Sequence, residues 1–427
     1  MNWSKSWLDD FKLRASYGSI GNQSIDPYSY TPAMNVGLDT VWLDGNDKVS
    51  VISLPGLVSS TFTWETVNSF NVGFDVSAFN NRLQVVFDWF KRKTTGMLSE
   101  GIEIPSVVGA GAPLQNIADL SSKGWEINLS WRDRIGNFSY NIGFNIYDSR
   151  AFIDKFNNES GFVDSNYVGK ELGEYWGYVS DGYYTIDDFV LEDAQKGVWT
   201  LKDNVVSIQG VVPQPGDEKF KDLDGDNIIS PASSTLSDSG DRKVIGSKTP
   251  RYQFGANIGV GYKGLSLDVR LQGVGKRDYV LGGAALFPFA GSSASDAVFQ
   301  PLFYNQTDYW SAVSYDPNFM KAKNPNAKLF RIYDQGNNVT SNTRASDKYI
   351  QNAAYLRVKN ITLAYSFPKN WVQKAFMKDA KIYLSIENPF TFSSLPKGYD
   401  PEGNEYNEIV WNYPYYRTIS LGANITF

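Results

Sequence analysis

The chain has 427 residues, 15% of them aromatic, with 37 glycines, no cysteine, no histidine and a net charge of −6. These absences exclude thiol nucleophiles, histidine general bases, Ser-His-Asp triads, His/Cys zinc sites and disulfides, and an acidic chain without a basic run excludes nucleic acid as an expected partner. Mean hydropathy is −0.34 and no run approaches the ~20 apolar residues of a spanning helix, so the aromatic surplus has to be distributed in alternation.

The opening MNWSKSWLDDF lacks the apolar core of a secretory signal, which predicts either an intracellular protein or a true N-terminus upstream of Met1. Beyond it, period-two alternation predicts a series of strands. The first is 11–17. In SFNVGFDVSA (69–78), Phe70, Val72, Phe74, Val76 and Ala78 oppose Ser69, Asn71, Gly73, Asp75 and Ser77. Strands follow at 82–93 and 124–131, then in FSYNIGFNIY (138–147) and RYQFGANIGVGY (251–262), where aromatic and aliphatic residues again oppose Asn and Gly. Further strands are expected at 265–274, 353–367 and 380–390. Within 353–367 the phase slips between Val358 and Ile361, which predicts a β-bulge near Lys359–Asn360. The final TISLGANITF (418–427) alternates to its last residue, Phe427.

Several of these runs reach ten residues, against ~5–6 in ordinary strands and ~9–11 in strands that cross a bilayer at a tilt. Their connections alternate. Long ones cover 18–65, 94–121, 149–250, 275–352 and 391–415. Short ones fall at Asn80–Asn81, Asp133–Asn137 and Lys263–Gly264, with a moderate one at 368–379. Long loops at one end and short turns at the other are the pattern of an outer-membrane barrel. Trp131, Phe138, Tyr140, Tyr262, Phe367 and Phe427 share apolar-face parity at the short-turn end and predict one aromatic rim; WNYPYY (411–416) predicts the other. The expected fold is therefore all-β, an antiparallel transmembrane β-barrel with long extracellular loops. The alternative from another class is a soluble, surface-exposed or secreted β-rich carbohydrate-binding protein, which would fold without detergent.

KLRASYGSIGNQ (12–23), AYLRVKNITLAYSFP (354–368), KIYLSIENPFTF (381–392), KGYDPE (397–402) and the closing RTISLGANITF resemble the SusC/RagA family of TonB-dependent transporters of Bacteroidetes outer membranes. The resemblance covers nearly the whole chain. It implies a 22-stranded barrel of which residues 1–427 supply about 10–12 C-terminal strands, with the plug and earlier strands absent. It also implies import of glycans or oligopeptides, a SusD-like surface lipoprotein as lid, TonB engaged through the absent N-terminal region, and no enzymatic activity.

Two stretches in the longest loop carry candidate chemistry. In GDEKFKDLDGDNIIS (216–230), Asp222, Asp224 and Asp226 stand at positions one, three and five of an EF-hand-like turn, with the Ile228 carbonyl at seven, and alternate carboxylates on a tight turn suit a hard cation such as calcium. Position six is Asn227 and position twelve is Ser233, so a bidentate Glu is lacking. The resemblance implies a closing Asp-Arg pair, which here is Asp241–Arg242, displaced by the insertion PASSTLSDSG (231–240), so Asp241, or Asp238 within the insertion, is the expected completing ligand. EYWGYVSDGYYT (174–185) gathers Trp176, Tyr178, Tyr183 and Tyr184, which suit sugar rings but are more simply explained by packing. Asp187–Asp188, Glu192–Asp193 and Glu402/Glu405 are paired carboxylates without the separation that would define a glycosidase, and no catalytic residue is assigned.

Overall fold

The computed structural model describes residues 7–23, 28, 30–34, 36–44, 47–52, 55–100, 104–193, 198–280, 287, 304–314, 320–332, 341–397, 399–403 and 415–427. Trp411–Pro414 of the expected outer aromatic rim, and Glu405, lie outside the described residues.

Ten strands form one sheet whose neighbours follow chain order. They are β1 (Leu8–Asn22), β2 (Glu65–Ala78), β3 (Leu83–Glu100), β4 (Leu114–Ile135), β5 (Phe138–Lys155), β6 (Arg251–Tyr262), β7 (Leu265–Lys276), β8 (Tyr355–Ser366), β9 (Asp379–Ser393) and β10 (Thr418–Thr426). Every strand expected from alternation is present, and several extend further. β1 continues past Tyr17 because the backbone ladder needs no alternation: Ser19, Ile20, Gly21 and Asn22 pair with Asn68, Val67, Thr66 and Glu65. The short connections use the dihedrals that tight hairpins require. Asn80 and Asn81 take φ 59° and 60°, and Lys263 and Gly264 take 46° and 89°. The bulge falls where the phase slips: on β9, Phe390 pairs with Val358 and Glu387 pairs with Asn360. Lys359 thus faces Asn388 and Pro389, a place where a proline's missing N–H costs no ladder bond.

Register turns the alternation into two chemically distinct faces. Ile142, Ile258, Val269, Ile361, Ile386 and Ile419 lie directly opposite one another from β5 to β10. On the other face, Gly259 lies opposite Asn141 and Asp268, and Asp268 opposite Thr362. Size explains the alternation of Gly and Asn there. A Cβ on Gly143 would stand 2.7 Å from Asn257 Nδ2, and one on Gly255 would stand 2.7 Å from Asn145 Oδ1. The apolar face is open: Leu421 is 83% and Ile142 44% exposed, and Phe254 is only half-buried. In water such a face would forfeit about 25 cal/mol per Å² of apolar area, which a soluble sandwich recovers by laying a second sheet on it. This is the reason the soluble alternative is not favoured.

Within each of two compact units the packing differs. The first comprises Met1–Asn80, Val85–Ile127 and Asp148–Leu172. On its polar face Arg14 bridges Asp75 at 2.9 Å and Asp88 at 2.7 Å. The second comprises Asn81–Gln84, Asn128–Tyr147 and Gly173–Phe427. Here the expected short-turn rim assembles. Phe138 pairs with Tyr262 and stacks on Tyr140 at 5.9 Å, Trp131 Nε1 donates to the Tyr140 hydroxyl at 3.3 Å, and Tyr365 meets Phe367 edge-on. This unit also holds the buried cores, and they lie mainly in the connections. One joins Tyr178, Tyr184, Phe189, Trp199, Ile208, Phe220 and Ile229; a second centres on Phe287, Phe330 and Tyr349. The long connections are therefore not bare loops. Residues 174–178 pair with 242–247, 189–193 with 198–201, and 278–280 with 350–352.

Candidate functional site

The tyrosine-rich segment enters this loop core. Tyr178 is buried, with its ring 5.2 Å from that of Phe220 and Arg344 stacked on it at 5.4 Å. Tyr184 is wholly buried and donates its hydroxyl to the Val206 carbonyl at 2.6 Å. Trp176 Nε1 donates to Glu174 at 3.0 Å. Packing thus takes the rings of Tyr178 and Tyr184. Tyr183 is different: half-buried, it donates to the Ala327 carbonyl at 3.1 Å, and Lys348 Nζ lies 3.4 Å from its ring centroid. Tyr183, Tyr184, Asp187, Trp310, Lys321 and Lys348 are among the residues around a cavity of about 840 Å³.

Behind Tyr183 lies a charge that sequence reasoning missed. Glu218, paired with Tyr183 in the ladder, is fully buried. The Ser346 hydroxyl donates to its Oε1 at 2.8 Å, and its own N–H donates to Asn342 Oδ1 at 2.6 Å. Burial pushes the Glu218 carboxyl well above the usual range, with Ser346 and Lys348 pulling against it, and burial pushes the Lys348 ammonium down. The Tyr183 hydroxyl is raised, first by burial and then by the Glu218 charge. Partners separated by 128 residues in the chain leave no local signal from which they could be read.

Asp222, Asp224 and Asp226 do converge: each offers a carboxylate oxygen, and these atoms lie within 4.8 Å of one another. The turn is built by those same side chains. Asp222 accepts the N–H of Gly225 at 2.6 Å and of Asn227 at 2.9 Å, and Asp226 accepts that of Ile228 at 2.7 Å. Asn227 occupies the glycine position with φ 65°, a conformation Asn tolerates. The N–H groups of Asn227 and Gly225 hold the Asp222 carboxyl below its ordinary value. Local desolvation, then the charges of Asp241, Asp226 and Asp222, raises that of Asp224. Ser207 and Gln209 take the carbonyls of Asn227 and Ile229, so the Ile228 carbonyl, between them, faces the other way. Asp241 has another task. Fully buried, it accepts the N–H of Leu223 at 2.7 Å and of Ser230 at 2.8 Å, clamping the two ends of the turn. Asp238 accepts from Ser233.

Two of the candidate carboxylates, Asp188 and Glu402, have structural partners. Asp188 accepts the Thr185 N–H and hydroxyl. Glu402 lies 2.7 Å from Lys359 and 3.1 Å from Arg357. Asp400 takes Arg357 at 2.6 Å, and the Pro401 carbonyl accepts from Arg277 at 3.1 Å. Asp400, Pro401 and Glu402 of the KGYDPE run thus hold side chains from β8 and from Arg277, just after β7, and the bulge supplies Lys359 as an extra polar-face residue.

A family model described as TonB dependent receptor-like, beta-barrel matches residues 2–388. TonB-dependent receptor P3 of Formosa agariphila is 28% identical over 448 residues, which cover 98% of this chain and 40% of the relative. TonB-dependent receptor SusC of Bacteroides thetaiotaomicron is 24% identical over 439 residues, covering 98% of this chain and 38% of the relative. Among solved structures, the RagAB peptide transporter superposes with a TM-score of 0.66 at 22% identity over 99% of this chain and 41% of that one. The chain thus spans about 40% of the length of these curated relatives.

Proposed function

Because the chain belongs to the TonB-dependent receptor-like β-barrel family, we infer that it forms part of the wall of an outer-membrane importer of large nutrients. One observation carries the reading: six aliphatic residues aligned across six consecutive strands face outward, with Asn, Asp, Thr and Gly opposite one another on the reverse face. In lipid only a closed sheet satisfies its backbone, so the polar face lines a lumen and the rows meet hydrocarbon. Energy comes from TonB acting on a plug beyond these residues, and the chain makes or breaks no bonds. The structural likeness to the RagAB peptide transporter supports an oligopeptide as cargo, and the resemblance to the SusC/RagA family supports a surface lipoprotein as lid; glycan and oligopeptide both suit a polar lumen. Deleting the gene should abolish growth on one oligomeric nutrient, and removing TonB should reproduce the loss. The protein should need detergent to leave the membrane and should co-purify with a surface lipoprotein. A product that stays in water without detergent refutes the barrel.

The acidic turn suits calcium bound by Asp222, Asp224, Asp226 and the Ile228 carbonyl, a structural ion that offsets three like charges. Calorimetry is expected to show one weak calcium site, lost in Asp224→Ala, with protease resistance of the 216–242 segment falling when chelator is added. Equal calcium binding by the variant and the parent would place the ion elsewhere.

A further inference from the structure

Along β3, β4 and β5 the outward face changes character at one level. Phe87 and Trp89 give way to Lys91, Trp125 to Lys123, and Ile146 to Asp148 and Arg150. Parity is fixed by contacts on the reverse face, where a Cβ on Gly124 would meet both Phe90 and Ser149. Just past that change is a groove of about 600 Å³, bordered among others by Trp89, Lys91, Ser121, Lys123, Phe152 and Val168. Its far wall is the segment after β5, which returns so that Ile153 donates to the Lys170 carbonyl at 3.0 Å and Gly169 to the Ile153 carbonyl at 2.8 Å.

The charges around the groove are unevenly used. Asp154 accepts the Ser121 hydroxyl at 2.8 Å and lies 3.9 Å from Lys93, and Arg150 is paired with Glu171. Lys91 and Lys123 are exposed and form no ion pair among the described residues; Lys123 lies 5.9 Å from the centroid of Phe152. Two free ammonium groups, with aromatic rings on the hydrocarbon side, complement a head group that is anionic on one side and acylated on the other. We propose that this groove holds a phosphate-bearing anionic lipid of the surrounding leaflet, its phosphate between Lys91 and Lys123 and its acyl chains running down past Trp89. The proposal rests on the outward face meeting lipid, as inferred above.

Native mass spectrometry of the protein extracted from its own membrane tests it, with phosphatidylglycerol, phosphatidylcholine and glycerol phosphate added separately. Phosphatidylglycerol is expected to bind preferentially. Lys91→Ala with Lys123→Ala should weaken it about 30-fold, at about fivefold per lysine near an anionic surface. Lys12→Ala with Lys243→Ala, away from the groove, should leave it unchanged. Equal retention of phosphatidylcholine, equal binding of glycerol phosphate, or undiminished binding in the double variant overturns the lipid site while the barrel stands. A protein recovered without detergent overturns the barrel itself.

Discussion

Val269→Arg is expected to destabilise the folded barrel by about 2–4 kcal/mol, while Asp268→Arg, one residue away, changes it by about 1 kcal/mol or less. Val269 sits midway along the apolar residues of β7, between Ile258 and Ile361 in register, so an arginine there points into hydrocarbon at the depth where its head group reaches neither interface. Asp268 faces Gly259 and Thr362, on the side that already carries Arg270 opposite Asn257 and Asn360. Denaturant unfolding of the protein refolded into lipid measures both variants. The contrast is sharper than either number, because two substitutions at the same depth differ only in the face they reach. Equal losses would mean that both faces of β7 meet similar surroundings, which neither a barrel nor a half-exposed sheet allows.

The faces of the sheet were legible because strand geometry repeats every two residues, so Phe254, Ala256 and Ile258 announce their side without knowledge of any partner. The bulge was legible for the same reason, as a break in phase at Lys359. What alternation could not show was how far a strand continues once its apolar residues stop alternating, as β1 does beyond Tyr17. The loop core was hidden more deeply. Tyr178 and Tyr184 look alike in sequence to any aromatic awaiting a ligand, and only Phe220, Arg344 and Val206 brought from elsewhere make them packing residues. Spacing brought Asp222, Asp224 and Asp226 together correctly, since a tight turn is local. Asp241 was expected as a ligand from the family's closing Asp-Arg pair and not from spacing, and in the fold it accepts the N–H groups of Leu223 and Ser230.

Arg357→Met is expected to cost about 3–5 kcal/mol, because it removes a buried guanidinium and strands two partly buried carboxylates. Arg357 is 1% exposed, and its partners Asp400 and Glu402 have side chains only 20% and 11% exposed. Its guanidinium also donates to Thr391 at 2.9 Å and lies 4.7 Å from the centroid of Tyr415. A methionine fills much of that volume but leaves Asp400 uncompensated and Glu402 with Lys359 alone. The expected result is early release of the 395–403 segment, seen as cleavage by protease at temperatures where the parent resists, together with a lowered midpoint of unfolding. The triple variant Arg357→Met, Asp400→Asn, Glu402→Gln separates charge from packing. If the penalty comes from unpaired carboxylates, the triple variant is more stable than Arg357→Met alone, since a neutral amide is cheaper to bury than a carboxylate. If the arginine acts by volume and by stacking on Tyr415, the triple variant is no better than the single one. Lys359→Met provides the scale: half-buried and sharing Glu402 with Arg357, it should cost less than half as much.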